Sequence, residues 1–536
     1  MESRGVPVNE AFRFWLKLGF ISFGGPTGQI AIMHQELVER RRWISERRFL
    51  HALNYCMLLP GPEATQLATY IGWLMHRTWG GIVAGSLFVL PSVAILIALS
   101  WIYLAYGDVP VVAGLFYGIK PAVVAIVLVA AHRIGSRALK NGWLWSIAAA
   151  AFVAIFALKV PFPAIVVAAA LIGYAGGRYA PGTFSIGGGH AAAATGYGPA
   201  IIDDDTPAPE HARYRHSSLL RIALVSLALW AAVLGALVAA FGWQGTLSQM
   251  GWFFTKAALL TFGGAYAVLP YVYQGGVEHY GWLSAQQMID GLALGETTPG
   301  PLIMVVAFVG FVGGWTKEVF GPEALAAAGV AAALVATFFT FLPSFVFILA
   351  GAPFVETTHG DLRFTAPLTA ITAAVVGVII NLAVFFAYHV LWPQGLDGRF
   401  DAFSAIIGAA ALVALFRYKV GVIPVICACA AVVSSATAIP GMDALIDQSP
   451  LRSHPAIGAA FAPRFDLAYR MAIEIFGALQ RLPQSEQLEG PPPTHRASRR
   501  TRACPCRSCP MEWCSWRRAS ASSGVAGQVS RRAVAG

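Results

Sequence analysis

Charged side chains are scarce in this chain. Aspartate, glutamate, lysine and arginine make up 12% of its 536 residues, whereas hydrophobic residues make up 57%, and the mean hydropathy is +0.62. Soluble domains carry about a quarter charged residues, so this composition excludes a water-soluble protein. Because a spanning helix needs about 20 apolar residues, the sequence predicts an all-α polytopic membrane protein with roughly 10–13 membrane segments.

A secretory signal peptide is not recognisable either. The first ten residues lead straight into the apolar segment 11–33, which is too long for a signal peptide and has no small-residue cleavage site. The sequence is therefore expected to insert as a multi-pass protein of an inner (plasma) membrane.

Cysteine is sparse, with seven residues in the chain. Cys56, Cys427 and Cys429 lie within apolar segments and are expected to be small buried hydrophobes rather than a disulfide framework. The tail holds four more, Cys504, Cys506, Cys509 and Cys514. No histidine or second spaced pair completes a zinc pattern there, so we predict no metal site and no cofactor.

The positive charge does not indicate a nucleic-acid partner, although the net charge is +10. Basic residues cluster in short loops between apolar segments and in the C-terminal tail. Such clusters are typical of cytoplasmic loops of membrane proteins, so the expected surroundings are a lipid bilayer.

Composition divides the chain into four parts. Residues 1–175 and 219–438 are two apolar repeats, and 176–218 is a polar linker containing Gly187–Gly189 and Asp203–Asp205. Residues 439–536 form an Arg-, Ser- and Pro-rich tail that is predicted to be disordered.

The two repeats share their landmarks in the same order. The first contains Phe23-Gly24-Gly25, Trp43 and Pro60-Gly61-Pro62, and the second contains Phe262-Gly263-Gly264, Trp282 and Pro299-Gly300-Pro301. Each pair is 239 positions apart (262 − 23, 282 − 43, 299 − 60). Three landmarks at one spacing indicate a duplication.

Charge between the landmarks differs, and this predicts an inverted repeat. The first half carries five arginines there, namely Arg40, Arg41, Arg42, Arg47 and Arg48, whereas residues 265–298 contain no lysine or arginine. Because positive loops stay in the cytoplasm, the two loops are expected on opposite sides of the membrane.

Each Pro-Gly-Pro is expected to break a membrane segment into half-helices. Proline lacks a donor and glycine loosens the backbone, so neither Pro60–Pro62 nor Pro299–Pro301 fits mid-helix. A half-helix opening at Pro62 or Pro301 directs free N–H groups and its positive end into the membrane, where transporters with inverted repeats bind ions. A tight turn or kink at the membrane surface is the alternative.

Polar residues beside the breaks are candidate ligands. Glu63 follows the first break with Thr65 and Gln66 nearby, and Glu296, Thr297 and Thr298 precede the second. A carboxylate at membrane depth costs about 2.5–3.5 kcal/mol and is usually functional or paired, so Glu63 and Glu296 are candidate proton carriers or salt-bridge partners. Capping of a half-helix is the alternative.

The predicted site is assembled from these positions. Its substrate-binding residues are Gly24, Gly25, Pro60, Gly61, Pro62, Glu63, Gln66, Gly263, Gly264, Glu296, Thr297, Pro299, Gly300 and Pro301. Arg40, Arg41, Arg42 and Lys120 are candidates for attracting an anion to the pathway; topology signalling, lipid contact and snorkelling are the alternatives. The Phe-Gly-Gly pairs also suit close helix packing.

Several strings resemble the chromate transporter (CHR) family. In the first half they are Phe14–Gly19, Ser22–Pro26, Arg42-Trp43, Pro60–Ala68 and Phe88–Ser92; in the second they are Thr261–Gly264 and Glu296–Met304. The resemblance covers about residues 10–438 and is to the long, two-domain form. It implies a secondary transporter that exports chromate and confers resistance.

Other functions stay open beside this one. A sulfate or other oxyanion transporter of the same fold is the first alternative, with proton coupling possible in either. A membrane-embedded enzyme is the second, but the scattered histidines His34, His51, His76 and His132 form no catalytic set, so we predict no enzyme activity. The sequence leaves the oligomeric state open, a homo-oligomer included.

Overall fold

The computed structural model describes residues 5–23, 25–107, 109–180, 184, 198–204, 206, 210–212, 215–262, 264–357 and 365–437. Over these residues the chain forms sixteen α-helices and no β-strand, which confirms the predicted all-α class. Gly24, Gly263, most of the predicted linker and the whole C-terminal tail with its four cysteines lie outside the described residues.

Seven helices form the first half. They are α1 (Val8–Ile21), α2 (Gly25–His34), α3 (Glu46–Cys56), α4 (Glu63–Tyr106), α5 (Pro110–Ala138), α6 (Gly142–Phe156) and α7 (Phe162–Tyr179). A π-helical segment, Gln35–Arg40, continues α2. Non-helical backbone angles at His76 and Arg77 divide α4 into two stretches.

Nine helices follow. They are α8 (His216–Phe241), α9 (Thr246–Leu259), α10 (Ala265–Tyr273), α11 (Ala285–Thr297), α12 (Val305–Thr316), α13 (Leu325–Thr357), α14 (Thr365–Leu391), α15 (Ala402–Phe416) and α16 (Val422–Thr437). A π-helical segment, Gln274–His279, continues α10, and 3₁₀ turns Leu302–Met304 and Pro322–Ala324 precede α12 and α13.

The order of elements in the first half recurs in the second. Helices α9 to α11 repeat α1 to α3, α12 and α13 repeat the two stretches of α4, and α14 to α16 repeat α5 to α7. The six-residue π-helical segment at Gln35 recurs at Gln274, 239 positions later. Helix α8 has no counterpart. The duplication seen in the sequence is thus also present in the fold.

The predicted segments 11–33 and 250–273 are each two helices rather than one. Helix α1 ends at Ile21 and α2 starts at Gly25, and the same interruption separates α9 from α10. The glycine pairs permit this break because Gly25 has φ +70° and Gly264 has φ +94°, which other residues adopt only with strain.

Within the residues that the structure describes, six helices are long and apolar enough to cross a membrane. They lie at Glu63–Tyr106, Val112–Ala138, Phe162–Tyr179, His216–Phe241, Pro322–Pro353 and Ala366–Leu391. The kink at His76 leaves residues 78–106 as the spanning part of the first, since 29 residues still exceed the required length. Shorter apolar helices lie at Gly142–Phe156, Leu302–Thr316, Ala402–Phe416 and Val422–Val433. The chain is therefore a multi-pass membrane protein.

The two halves contact each other through equivalent helices. Along α4 and α13, Gly81 meets Leu349 and Gly85 meets Phe345, so these helices run antiparallel. Small residues allow this approach, as is common between membrane helices.

The contacts of α5 and α14 are reciprocal. A Cβ built on Gly118 of α5 lies 2.8 Å from Val433 of α16, and one built on Gly173 of α7 lies 2.8 Å from Ala370 of α14. Each half therefore inserts one long helix, α5 or α14, between helices of the other, which joins both halves into a shared apolar core.

Candidate functional site

The Pro-Gly-Pro segments interrupt the helices at matching points. Helix α3 ends at Cys56 and α4 begins at Glu63, while α11 ends at Thr297 and a 3₁₀ turn begins at Leu302. With 11 and 13 residues, α3 and α11 are about 17–20 Å long. A hydrocarbon core is about 30 Å thick, so both are half-helices.

The prolines lie one position earlier than the sequence suggested. Pro62 and Pro301 are N-cap residues with extended backbone, not members of the first turn. The missing proline N–H costs no helical hydrogen bond, because N–H groups at a helix N-terminus have no acceptor within the helix.

Each Pro-Gly-Pro turn binds the Phe-Gly-Gly break of the other half. The Gly61 N–H donates to the Thr261 carbonyl at 2.7 Å, and the Gly300 N–H donates to the Ser22 carbonyl at 2.8 Å. Ser22 and Thr261 are themselves 239 positions apart, as are the two glycines. The structure thus contains two equivalent contacts between the halves. We name the contact of Pro60–Pro62 with Thr261 the Gly61 crossing, and the contact of Pro299–Pro301 with Ser22 the Gly300 crossing.

The Gly300 crossing is lined by neutral polar side chains. The Gln29 side-chain amide donates to the carbonyls of Gly300 and Ser22. Ser92 packs against the turn, with its Oγ 2.9 Å from a Cβ built on Gly300. Ser22 Oγ, Ser92 Oγ and Gln29 Oε1 are all buried and have no hydrogen-bond partner among the described residues. Such groups are costly to bury unless something pairs with them.

The Gly61 crossing is also lined by a glutamine amide and a serine hydroxyl. The Gln66 amide donates to the Pro60 carbonyl at 2.7 Å. Ser344 packs against Gly61, and it is the counterpart of Ser92 because Pro91-Ser92 recurs as Pro343-Ser344 in the equivalent helix. Within the described part of the chain, Thr65 Oγ1, Gln66 Oε1 and Ser344 Oγ are buried without a hydrogen-bond partner.

Both predicted carboxylates lie beside the start of α10. Glu63 Oε1 is 3.9 Å from a Cβ built on Gly264. Glu296 is buried and accepts a hydrogen bond from the Tyr266 hydroxyl. The sequence does not identify a partner for Glu296, although Tyr266 lies only two residues after the second Phe-Gly-Gly.

Of the other predicted ligands, Thr297 is bonded locally. Its hydroxyl donates to the carbonyls of Ala293 and Leu294, one helical turn back. Its side chain therefore completes the end of α11, and it stays a predicted ligand without a contact at either crossing.

The arginines predicted to attract an anion are held by neighbours. Arg40 pairs with Glu36 at 2.7 Å. Arg41 pairs with Glu10 at 2.9 Å, and its guanidinium lies about 5 Å from the rings of Phe14 and Trp43. These contacts suit a structural role at a membrane surface, and the electropositive vestibule stays a prediction.

The second half keeps this cluster without its charge. Tyr280 takes the position of Arg41 and stacks on Trp282 with ring centroids 4.5 Å apart, and Phe253 completes the group. One of the five arginines that distinguish the halves, Arg41, is thus replaced by tyrosine within a shared aromatic cluster.

Lys120 forms a buried ion pair that the sequence did not suggest. Its Nζ is 3.5 Å from Asp290 Oδ2, which also accepts a hydrogen bond of 2.9 Å from the Tyr103 hydroxyl. Asp290 is only 3% exposed. The pair ties α5 to α11, the half-helix that leads to the second Pro-Gly-Pro. An aspartate inside an apolar segment is the signal that could have identified it.

Replacing one partner of this ion pair should destabilise the protein more than replacing both. Lys120→Met or Asp290→Asn alone leaves one buried charge without its partner, which costs about 3–5 kcal/mol. We expect both single variants to lose thermal stability in detergent, measured by fluorescence-detected size exclusion. The double variant should recover most of it. Equal stability of all three would contradict a buried pair.

Comparison with known proteins gives the family. The chromate transporter family model matches residues 9–174 and 248–434, one match in each half. The chain is 34% identical to the chromate transport protein of Pseudomonas aeruginosa, covering 69% of this chain and 79% of that protein. It is 30% identical to the probable chromate transport protein of Synechococcus elongatus, covering 76% and 90%. It is 29% identical to the chromate transport protein of Cupriavidus metallidurans, covering 71% and 82%. No solved structure matches.

Proposed function

Because the chain belongs to the chromate transporter family, we propose that it exports chromate across the bacterial inner membrane and so confers chromate resistance. The observation that carries the proposal is the pair of buried crossings, where interrupted helices leave polar side chains that have no hydrogen-bond partner among the described residues, inside an apolar core. Irregular backbone at membrane depth persists only where protein or a polar pathway surrounds it.

Helix ends make these crossings suitable for an anion. Helices α2, α4 and α10 all begin at the breaks, so their N-terminal N–H groups point toward the crossings. Free N–H groups and the positive end of the helix dipole together stabilise a negative charge. A tetrahedral dianion needs several donors at once, and hydroxyls and amides near the breaks provide them.

The contacts between the halves support an inverted repeat and alternating access. The equivalent helices α4 and α13 run antiparallel, as expected when one half is turned over relative to the other. Rocking of one half against the other about the crossings then opens them to either side. The arginine-rich loop of the first half and the second-half stretch 265–298, which has no lysine or arginine, favour the same arrangement.

The membrane potential favours export. Moving one charge through 100 mV is worth about 2.3 kcal/mol, so a dianion that leaves an inside-negative cell gains about twice that. A transporter with no further coupling would already drive chromate outward.

Chromate accumulation tests this function directly. Cells that express the chain should accumulate several-fold less chromate than cells with an empty vector, and everted vesicles should take it up. A Gly235→Ala variant in α8 is a suitable control, because apart from the chain neighbours and the helix's own backbone no atom of a described residue lies within 4 Å of a Cβ there. Unchanged accumulation with confirmed membrane insertion would exclude chromate export.

Sulfate is the second candidate substrate. Sulfate and chromate are both tetrahedral dianions, and the uncharged hydroxyl and amide groups of the crossings offer no feature that separates them. Competition in vesicles decides: a sulfate transporter that carries chromate incidentally will show stronger inhibition of chromate uptake by sulfate than the reverse.

A further inference from the structure

The two crossings are equivalent in position but not in charge. At the Gly61 crossing, Glu63 places its carboxylate beside Gly264, at the start of α10. The residue 239 positions after Glu63 is Leu302, which is apolar. The residue equivalent to Glu296 is Met57, so the positions equivalent to both carboxylates are apolar.

The position beside Gly25 is correspondingly open. Gly25 is the counterpart of Gly264 and begins α2, a ten-residue helix. Apart from its chain neighbours, no atom of a described residue lies within 4 Å of a Cβ built on Gly25. A Cβ built on Gly264, by contrast, lies 3.9 Å from Glu63 Oε1. One helix start is thus occupied by an anion of the protein itself, and its counterpart is not.

Resting on the proposed function, we propose that the oxyanion binds at the Gly300 crossing, and that Glu63 holds the equivalent anion position at the Gly61 crossing. The donors are the hydroxyls of Ser22 and Ser92 and the N–H groups at the start of α2. All three polar side chains of this crossing, including Gln29, are fully buried, and two of them are hydroxyls with no partner in the described part of the chain.

Charge repulsion selects this crossing over the other. A dianion at the Gly61 crossing would meet Glu63 and Glu296, and like charges repel strongly where water is excluded. At the Gly300 crossing the residue equivalent to Glu63 is the apolar Leu302, and beyond the chain neighbours no atom of a described residue lies within 4 Å of a Cβ built on Gly25 at the start of α2. Duplication thus produced two equivalent positions, and an acidic side chain occupies one of them.

Matched serine variants test the assignment. Chromate binding to the purified full-length protein in lipid nanodiscs is measured by equilibrium dialysis with radiolabelled chromate at one pH. Ser92→Ala removes a donor to a charged ligand and should weaken binding about tenfold or more. Ser344→Ala, the equivalent change at the other crossing, should leave affinity within about twofold. Ser100→Ala, on the same helix as Ser92, controls for loss of a buried hydroxyl.

A carboxylate transferred to the open position gives an independent test. Leu302→Glu should copy the arrangement of Glu63 and lower chromate affinity at least about 100-fold, since the ligand would meet a resident anion. Leu302→Gln has the same shape without charge and should bind within a few-fold of the wild type. Thermal stability of both variants separates loss of binding from misfolding.

The outcomes distinguish this inference from the proposed function. If wild-type protein binds neither chromate nor sulfate, the proposed function fails. If wild-type protein binds chromate but Ser344→Ala weakens binding as much as Ser92→Ala, the assignment to the Gly300 crossing is wrong while the function stands. Equal binding by the glutamate and glutamine variants at Leu302 would also overturn it.

Discussion

Replacing Gly300 with leucine should reduce chromate efflux at least about 100-fold. Gly300 has φ +99°, where any side chain is strained by about 1–2 kcal/mol. A Cβ there would lie 2.6 Å from Ser92 Cβ, and overpacking of this kind costs typically about 1–3 kcal/mol. The turn must then move, which breaks the bond from the Gly300 N–H to Ser22. Efflux is measured in vesicles and divided by the amount of inserted protein.

Gly242 provides the matched control. It also has a positive φ, +75°, but it lies in the loop after α8, and beyond its chain neighbours no described atom is within 4 Å of a Cβ there. Gly242→Leu should therefore carry the backbone strain without the clash and retain nearly normal efflux. If the leucine variants at Gly242 and Gly300 transport equally well, the crossings are not part of the pathway.

A compensating change can show that crowding is the cause. Gly61→Ala places a methyl group against Ser344 Oγ and Gln66 Nε2 and should impair efflux. Adding Ser344→Gly removes the first of these obstacles, so the double variant should recover a substantial part of the lost efflux. No recovery would point to backbone strain at Gly61 as the dominant effect.

Local chemistry made the helix interruptions predictable. Proline and glycine act on their own backbone, so Pro60–Pro62 and Pro299–Pro301 identified the ends of half-helices without knowledge of the fold. The duplication was visible for a similar reason, since a fixed spacing is a property of sequence alone. At Phe23 the same reasoning was less decisive, because a glycine pair suits both a helix break and close helix packing.

The sequence alone could not predict which distant residues contact each other. The bonds from Gly61 to Thr261 and from Gly300 to Ser22 each join residues at least 200 positions apart, and nothing local specifies which break meets which. The partner of Lys120 was hidden in the same way, because Asp290 lies on a distant half-helix. Local signals therefore located the breaks, whereas only packing determined how they combine.

The distribution of carboxylates has a consequence for coupling. Both Glu63 and Glu296 lie at one end of α10, while the proposed anion position is at the start of α2. An ionised carboxylate in a membrane protein interior is costly, and binding a proton removes that cost. If protons enter as chromate leaves, the two ions therefore use different crossings and need not compete for one site.

Neutralising Glu63 and Glu296 together should uncouple chromate transport from the pH gradient. Glutamine keeps the shape of glutamate but cannot carry a proton. One pH unit is worth about 1.4 kcal/mol per proton, so acidifying the lumen of everted vesicles by one unit should raise wild-type chromate accumulation about tenfold for each proton coupled. The double variant should show no such rise, and uptake driven by membrane potential should persist. The medium is held at one pH, so that the charge of chromate stays constant, and the membrane potential is fixed with potassium and valinomycin.

Glu323 supplies the matched control, since it is exposed in the 3₁₀ turn before α13 and lies outside both crossings. Glu323→Gln should respond to the pH gradient as the wild type does. The single variants then assign the coupling: a lost response in Glu296→Gln but not in Glu63→Gln would identify the Tyr266-bonded carboxylate as the carrier and leave Glu63 solely as the resident anion. A pH-driven rise that survives in the double variant would show that protons, if coupled at all, are carried elsewhere.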